Sequence, residues 1–165
     1  MSYLEDEHMF WERIDDLEAL RIAIQAEMDT YRYYIEAMKL FTDQEAKKLL
    51  AALAEEEKKH RKRLEEKYAK LSGRRLLYLN LPKKRRISKP LDPNASVLDI
   101  LRVAIETEKE SQDFYERAAE RTLDARGKRM LQELAEEERH HVEMLEAEYR
   151  IRSRASEQEA VGAES

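Results

Sequence analysis

Two octets of nearly identical sequence lie 81 residues apart and carry side chains that can bind metal ions. They are LAEEEKKH at residues 53–60 and LAEEERHH at residues 134–141. Both contain the spacing Glu-x-x-His, at Glu57 and His60 in the first and at Glu138 and His141 in the second. Residues three apart share one face of an α-helix, so each octet presents a carboxylate and an imidazole side by side.

The octets belong to a longer internal repeat. Residues 20–68 align with residues 101–149 without a gap, and 19 of the 49 aligned positions are identical. The repeat also pairs a carboxylate and a tyrosine outside the octets, namely Glu27 with Glu108 and Tyr34 with Tyr115. A duplicated helical hairpin is the simplest cause, and two hairpins joined by a long crossover predict an all-α four-helix bundle.

Four helical segments must position these residues. Helical spacing and capping signals predict them at about 14–41, from the capping-box sequence Thr42–Glu45 to about 71, from a Ser96 cap to about 121, and from Asp124 to about 152. The segment 72–95 begins with a break at Gly73, holds all three prolines and reads as the crossover. We therefore expect one domain over residues 1–152, with repeats at about 14–71 and 96–152, and a disordered tail over 153–165.

The candidate ligands lie on apolar stripes. Glu57 and His60 share a stripe with Leu50, Leu53 and Leu64, and the fourth helix repeats this pattern. An unpaired carboxylate in an apolar interior costs roughly several kcal/mol or becomes protonated, and no Lys or Arg lies on these stripes. Four such carboxylates would neutralise two divalent cations, with two imidazoles completing the set. Carboxylate-rich sites with few histidines suit iron or manganese.

Composition narrows the function classes. The chain has 165 residues, 42% hydrophobic and 41% charged, a balance typical of amphipathic helices. A net charge of −5 gives no reason to expect nucleic-acid or membrane binding. The acidic N-terminus and the lack of a long apolar run lead us to expect a cytoplasmic protein. The absence of cysteine excludes thiol catalysis, cysteine-ligated zinc and thiolate-bound iron within this sequence.

The chain resembles the ferritin-like di-iron superfamily, and most closely its rubrerythrin branch. The resemblance rests on two Ala-Ile-x-x-Glu motifs followed by Tyr-Tyr or Phe-Tyr and on the two Glu-x-x-His motifs, and it covers about Leu17 to Tyr149. It implies a ferritin-like four-helix bundle that holds two Fe ions per chain, with Mn or mixed Fe/Mn as alternatives. It implies that Glu57 and Glu138, the catalytic pair, bridge the two metals. It further implies that the terminal ligands are Glu27, His60, Glu108 and His141, and that Tyr34 and Tyr115 hydrogen-bond to ligating carboxylates.

The same resemblance implies a reaction. The expected activity is oxidation of Fe(II) by hydrogen peroxide or dioxygen, as in a rubrerythrin-like peroxidase or oxidoreductase of oxidative stress or iron handling. Without a cysteine-ligated rubredoxin module, electrons would come from an external donor such as a rubredoxin-like protein, and a homodimer is expected. Typical rubrerythrins carry an extra glutamate where this chain has Ser111, whose repeat mate is Thr30. This difference weakens the case for efficient peroxidase activity and leaves room for a simpler ferroxidase or oxidase.

The sequence also allows two other functions and leads to two expectations about exposed residues. The chain could be a ferroxidase serving iron storage, or a non-catalytic module whose helices are held by redox-inert metal. Glu55, Glu56, Glu136 and Glu137 are expected to lie on solvated helix faces. The basic run Pro82–Arg86 is expected to be a solvated loop, with docking of an acidic electron donor as the alternative.

Overall fold

The computed structural model describes residues 15–77 and 91–163, which form four helices. They are α1 (Asp16–Ala37), α2 (Gln44–Ser72), α3 (Val97–Arg121) and α4 (Ala125–Ala163). The described ranges contain no β-strand, which confirms the all-α fold class. The predicted helix start at residue 14 and the basic run Pro82–Arg86 lie outside the described residues.

Three of the helices begin next to a short polar side chain that accepts hydrogen bonds from free backbone N–H groups. Ser96 caps α3 as predicted, with its hydroxyl accepting from the Asp99 amide at 3.1 Å. The predicted capping box starting at Thr42 is wrong by one residue. Asp43 caps α2 instead, because its carboxylate accepts from the amides of Glu45 and Ala46 and its charge favours the positive end of the helix.

The helix ends also differ in part from the prediction. Gly73 ends α2 as expected, in the left-handed conformation with φ 72° that glycine adopts without strain. The first helix ends at Ala37 and not near residue 41, and Phe41, in the connection to α2, is buried in an apolar cluster with Leu50 and Leu53. The fourth helix does not end near Arg152 but continues to Ala163, through residues expected to be disordered. Its extension over residues 153–163 contains three Ala and two Glu, which are good helix formers.

The helices pack as two hairpins, α1 on α2 and α3 on α4, joined within each hairpin by a short connection. Where the hairpins meet at one end of the bundle, Lys67 of α2 pairs with Asp124, the residue before α4. A Cβ on Gly127 would lie 2.9 Å from the Asp124 carboxylate and 3.1 Å from Lys67 Cε. The equivalent position of the first repeat holds alanine, Ala46, and at Gly127 a methyl group would displace only the ends of these two side chains.

The apolar core consists of two clusters, one in each half of the bundle. One is built around Leu64 and Leu134, and the other around Leu53 and Leu145. On α2 and α4 the Glu-x-x-His residues lie in sequence between these leucines. A polar layer thus crosses an otherwise apolar bundle. No described helix contains a stretch apolar enough to span a lipid bilayer.

Candidate metal centre

All six residues predicted to bind metal lie in the polar layer, and each is almost completely buried. Their exposed fractions are between 0 and 3%. One carboxylate comes from α1 and one from α3, and each of α2 and α4 supplies a Glu-x-x-His pair. The helical stripes explain the burial, because each ligand candidate occupies a position that would otherwise hold an apolar core residue.

The six residues form two overlapping groups of four, in each of which the potential ligand atoms lie within 4.8 Å of one another. The first group is Glu27, Glu57, His60 and Glu138, and the second is Glu57, Glu108, Glu138 and His141. Glu57 and Glu138 belong to both groups. Two carboxylates shared between two ligand sets are what a pair of cations with bridging carboxylates requires.

The histidines face the shared carboxylates with the same ring nitrogen. His60 Nδ1 lies 3.0 Å from Glu138 Oε1, and His141 Nδ1 lies 3.0 Å from Glu138 Oε2. Glu57 is placed similarly, with Oε1 3.3 Å from His141 Nδ1 and Oε2 3.8 Å from His60 Nδ1. The imidazole rings stack with centroids 5.5 Å apart and planes inclined by 13°. Each shared carboxylate therefore spans the distance between the two histidines.

Two buried tyrosines connect the repeats by crossed hydrogen bonds. Tyr34 of α1 donates its hydroxyl proton to Glu108 of α3, and Tyr115 of α3 donates to Glu27 of α1. Tyr34 is fully buried and Tyr115 is 1% exposed. Each unshared carboxylate is thus oriented by a phenol from the other repeat.

The hydrogen-bonding state of the cluster tests whether its residues fit a pair of metal ions. Among the described residues, eight buried side-chain nitrogen or oxygen atoms lack a hydrogen-bond partner, and six of them belong to this cluster. They include Nδ1 of both histidines and both oxygens of Glu138. Buried polar atoms without partners are costly, yet these converge on a common centre. The donor set of carboxylate oxygens and imidazole nitrogens fits a divalent pair such as iron or manganese.

Burial and mutual repulsion shift the pKa values of the carboxyl groups in the cluster. Burial raises the pKa of Glu57 well above its ordinary value, and the charges of Glu108 and Glu138 raise it further. Burial, together with the nearby Glu138, raises the pKa of Glu108 to about 8. Burial acts in the same direction on Glu138, but the nearby imidazoles of His141 and His60 outweigh it and leave the pKa of Glu138 below its ordinary value.

The pKa values of the two histidines are raised, although burial of a cation ordinarily lowers its pKa. Burial alone would lower their pKa, but the surrounding carboxylates raise the pKa of His60 to about 12 and that of His141 to about 10. The metal-free cluster therefore retains protons on several of its groups. Divalent cations would have to displace these protons when they bind.

Sequence reasoning misses one residue that contacts the cluster. Glu137 is expected on a solvated face, but its Oε2 lies 2.7 Å from His60 Nε2, and Arg63 donates to both oxygens of the same carboxylate. Glu56, another of the residues expected to be solvated, pairs with Lys59 of its own helix at 2.6 Å, and its carboxylate also lies within 4.8 Å of ligand atoms of His60 and Glu137. No signal in the sequence identifies Glu137, because Glu56 also stands immediately before a buried glutamate.

The position that carries an extra glutamate in typical rubrerythrins holds a small polar side chain here. Ser111 is 6% exposed, and its repeat mate Thr30 is 2% exposed. The Thr30 hydroxyl donates to the Ala26 carbonyl at 3.0 Å. Neither residue contributes a carboxylate to the polar layer.

Solved structures with similar folds include several ferritin-like proteins. A hypothetical protein from Pyrococcus furiosus is 30% identical, with a TM-score of 0.71, over 82% of this chain and 88% of that one. The dodecameric thioferritin of Bacteroides fragilis, a bacterioferritin-related protein, is 18% identical with a TM-score of 0.74, over 86% and 88%. The bacterioferritin of Rhodobacter capsulatus is 21% identical with a TM-score of 0.68, over 84% and 85%. These similarities confirm the ferritin-like fold.

Sequence comparison gives a more specific result. No curated protein sequence matches the chain. The sequence profile of the rubrerythrin family matches residues 2–71 and residues 18–149, which together include both repeats and all six residues of the buried cluster. The chain therefore belongs to the rubrerythrin family of ferritin-like proteins.

Proposed function

We propose that this protein is a non-haem di-iron oxidoreductase that oxidises Fe(II) with hydrogen peroxide or dioxygen. The observation that carries the proposal is the pair of buried four-residue groups that share Glu57 and Glu138. Membership of the rubrerythrin family supports it. In this assignment, Glu57 and Glu138 would be shared by the two metals, Glu27 and His60 would complete one position, and Glu108 and His141 would complete the other.

The protein's own contribution is to orient the ligands and to exclude water. Tyr34 and Tyr115 hold the unshared carboxylates Glu108 and Glu27, so that a free oxygen of each remains available to a cation. The apolar clusters on either side of the polar layer strengthen electrostatic attraction between the carboxylates and a bound cation. When bound, two Fe(II) ions would supply the two electrons that reduce hydrogen peroxide, with two protons, to two water molecules, or dioxygen to hydrogen peroxide.

Protons leave the cluster when metal binds. The raised pKa of Glu108, about 8, and the raised pKa of Glu57 mean that these groups retain protons in the metal-free protein that a bound cation would displace. Electrons that return the metal to the ferrous state come from a separate donor, such as a rubredoxin-like protein, because the sequence contains no cysteine to ligate a redox iron of its own. A homodimer and a cytoplasmic location complete the proposal.

The test is a divided reaction. Metal-free protein is loaded anaerobically with two Fe(II) per chain, and one half is mixed with hydrogen peroxide and the other with dioxygen while ferric absorbance is followed. A much faster peroxide reaction supports a peroxidase despite Ser111. Comparable or faster oxidation by dioxygen, with continued turnover on excess Fe(II), supports a ferroxidase. No ferric signal with either oxidant refutes the oxidoreductase proposal.

A matched pair of neighbouring glutamates provides the control. Glu138→Gln removes a shared, fully buried carboxylate and should abolish rapid oxidation. Glu136→Gln, two residues earlier, removes an exposed carboxylate that pairs with Arg139 and should leave the rate unchanged. If Zn(II) restores every property of the iron-loaded protein, the metal only stabilises the bundle, and the non-catalytic module is the correct assignment.

A further inference from the structure

The two histidines of the buried cluster are held differently on their outer sides. His60 Nε2 lies 2.7 Å from Glu137 Oε2, and Arg63 Nη1 donates to both oxygens of this carboxylate at 2.9 and 3.0 Å. Arg63 Nη2 donates to Glu133 at 3.0 Å. The arrangement of Glu137, Arg63 and Glu133, called here the outer network, joins α2 to α4. It fixes the His60 ring from the side opposite the cluster.

The internal repeat does not reproduce the outer network around His141. The repeat mate of Glu137 is Glu56, but the mates of Arg63 and Glu133 are Met144 and Ala52, which can form no ion pair. Glu56 pairs with Lys59 of its own helix at 2.6 Å, and its carboxylate lies within 4.8 Å of ligand atoms of His60 and Glu137. The ion-pair contacts of His141 in the described chain involve Nδ1, the nitrogen that faces the cluster. The six residues of the inner cluster are therefore arranged almost symmetrically between the two repeats, whereas the residues that contact the outer sides of the two histidines are not.

This asymmetry has a chemical consequence. When Nε2 donates its proton to a fixed carboxylate, the Nδ1 lone pair is left for a cation, and the ring becomes both better oriented and more basic. Loss of such a partner lowers metal affinity by about 10- to 100-fold in known metal sites. Within residues 15–77 and 91–163, the position that includes His60 has this carboxylate support and the position that includes His141 does not.

We propose that Glu137 is a positioning residue that holds Nδ1 of His60 toward the cluster, and that it makes the His60 metal position bind more tightly than the His141 position. The inference rests on the proposed dinuclear centre. It adds an order of loading, with the His60 position filled first, and assigns that order to the outer network. Glu137 itself contacts neither a metal nor an oxidant.

Titration of the metal-free protein with Zn(II), followed by calorimetry, measures both binding steps without any redox reaction. The wild type should bind two equivalents in steps whose Kd values differ by about 10-fold or more. Glu137→Ala should weaken the tighter step by about 10- to 100-fold, and Glu137→Gln, which retains a hydrogen-bond acceptor, should weaken it less. The matched control Glu136→Gln, at the exposed position next to Glu137, should leave both steps unchanged.

Ring NMR of ¹⁵N-histidine-labelled protein distinguishes positioning from a merely structural role. With one equivalent of Zn(II), the His60 resonances should shift before those of His141, and the His60 Nε2–H signal should be protected from exchange. Glu137→Ala should lose this protection while helix content is retained. Equal wild-type steps, or steps unaltered by Glu137→Ala, would overturn the inference while leaving a dinuclear centre intact. A wild type that binds no Zn(II) or Fe(II) would instead refute the proposed function, and this inference with it.

Discussion

The crossed phenol–carboxylate hydrogen bonds offer a sharp test of the cluster, because each repeat contributes one of them and a neighbouring tyrosine serves as the control. Tyr34→Phe removes the donor to Glu108, and Tyr115→Phe removes the donor to Glu27. Tyr33→Phe is the control, because Tyr33 is also buried but donates to a neutral backbone carbonyl, that of Ile100, at 2.9 Å.

The magnitudes follow from the acceptor. A hydrogen bond to a charged group contributes about 1.5–3 kcal/mol, whereas one between neutral groups contributes about 1 kcal/mol. At about pH 9, above the pKa of Glu108, Tyr34→Phe and Tyr115→Phe should each lower the free energy of unfolding of the metal-free protein by about 2 kcal/mol, and Tyr33→Phe by about half as much. For a chain of this size, 2 kcal/mol corresponds to roughly 4–8 °C in Tm.

The metal-binding effects should separate the three variants more clearly. Each of Tyr34→Phe and Tyr115→Phe frees one unshared carboxylate, so each should weaken one Zn(II) step by about 10- to 100-fold, or about 1.4–2.7 kcal/mol. Tyr115→Phe should act on the position of His60 and Tyr34→Phe on that of His141. Urea unfolding and calorimetric titration measure both quantities. If all three variants bind Zn(II) as the wild type does, the tyrosines only pack the core and the reasoning is refuted.

Three further predictions concern stability. The folded-state pKa values of Glu108 (about 8) and His141 (about 10) exceed the ordinary 4.5 and 6.5, so the folded chain holds more protons than the unfolded one and loses stability as pH rises through those values. Tm of the metal-free protein should therefore fall between about pH 6 and pH 9, and Zn(II) should stabilise the protein more at the higher pH. A flat or rising Tm would contradict the assigned shifts. Leu134→Ala, at a fully buried position, should lower the free energy of unfolding by about 2–5 kcal/mol in urea titration, against less than about 0.5 kcal/mol for Leu123→Ala at a fully exposed one. Removal of residues 153–165 should change Tm little, because the side chains from 154 to 159 are exposed, and a large loss would show that the extension of α4 packs on the bundle.

The fold and the inner cluster are predictable because periodicity and repetition act together. Burial of a helical stripe follows from its spacing, so the spacing alone places Glu57 and His60 between buried leucines. The repeat then supplies the second copy at Glu138 and His141. Neither feature depends on the angle or separation at which helices cross.

The outer network is not predictable from the sequence, because it depends on packing between helices. Glu137 precedes a buried residue on α4, and on a helical wheel it faces away from the stripe, yet Arg63 of α2 reaches it. The length of α4 escapes prediction for another reason. Residues 153–163 have no apolar stripe to indicate a helix, and their helical state follows from propensity and continuity with the helix before them.

The most direct test of the central claim is anomalous diffraction at the iron edge from crystals loaded anaerobically with Fe(II). Two peaks are predicted in each chain, one among Glu27, Glu57, His60 and Glu138 and one among Glu57, Glu108, Glu138 and His141. Both should disappear in crystals of Glu138→Gln and persist in those of Glu136→Gln. A single peak, or iron only at surface carboxylates, would contradict a dinuclear centre in this bundle.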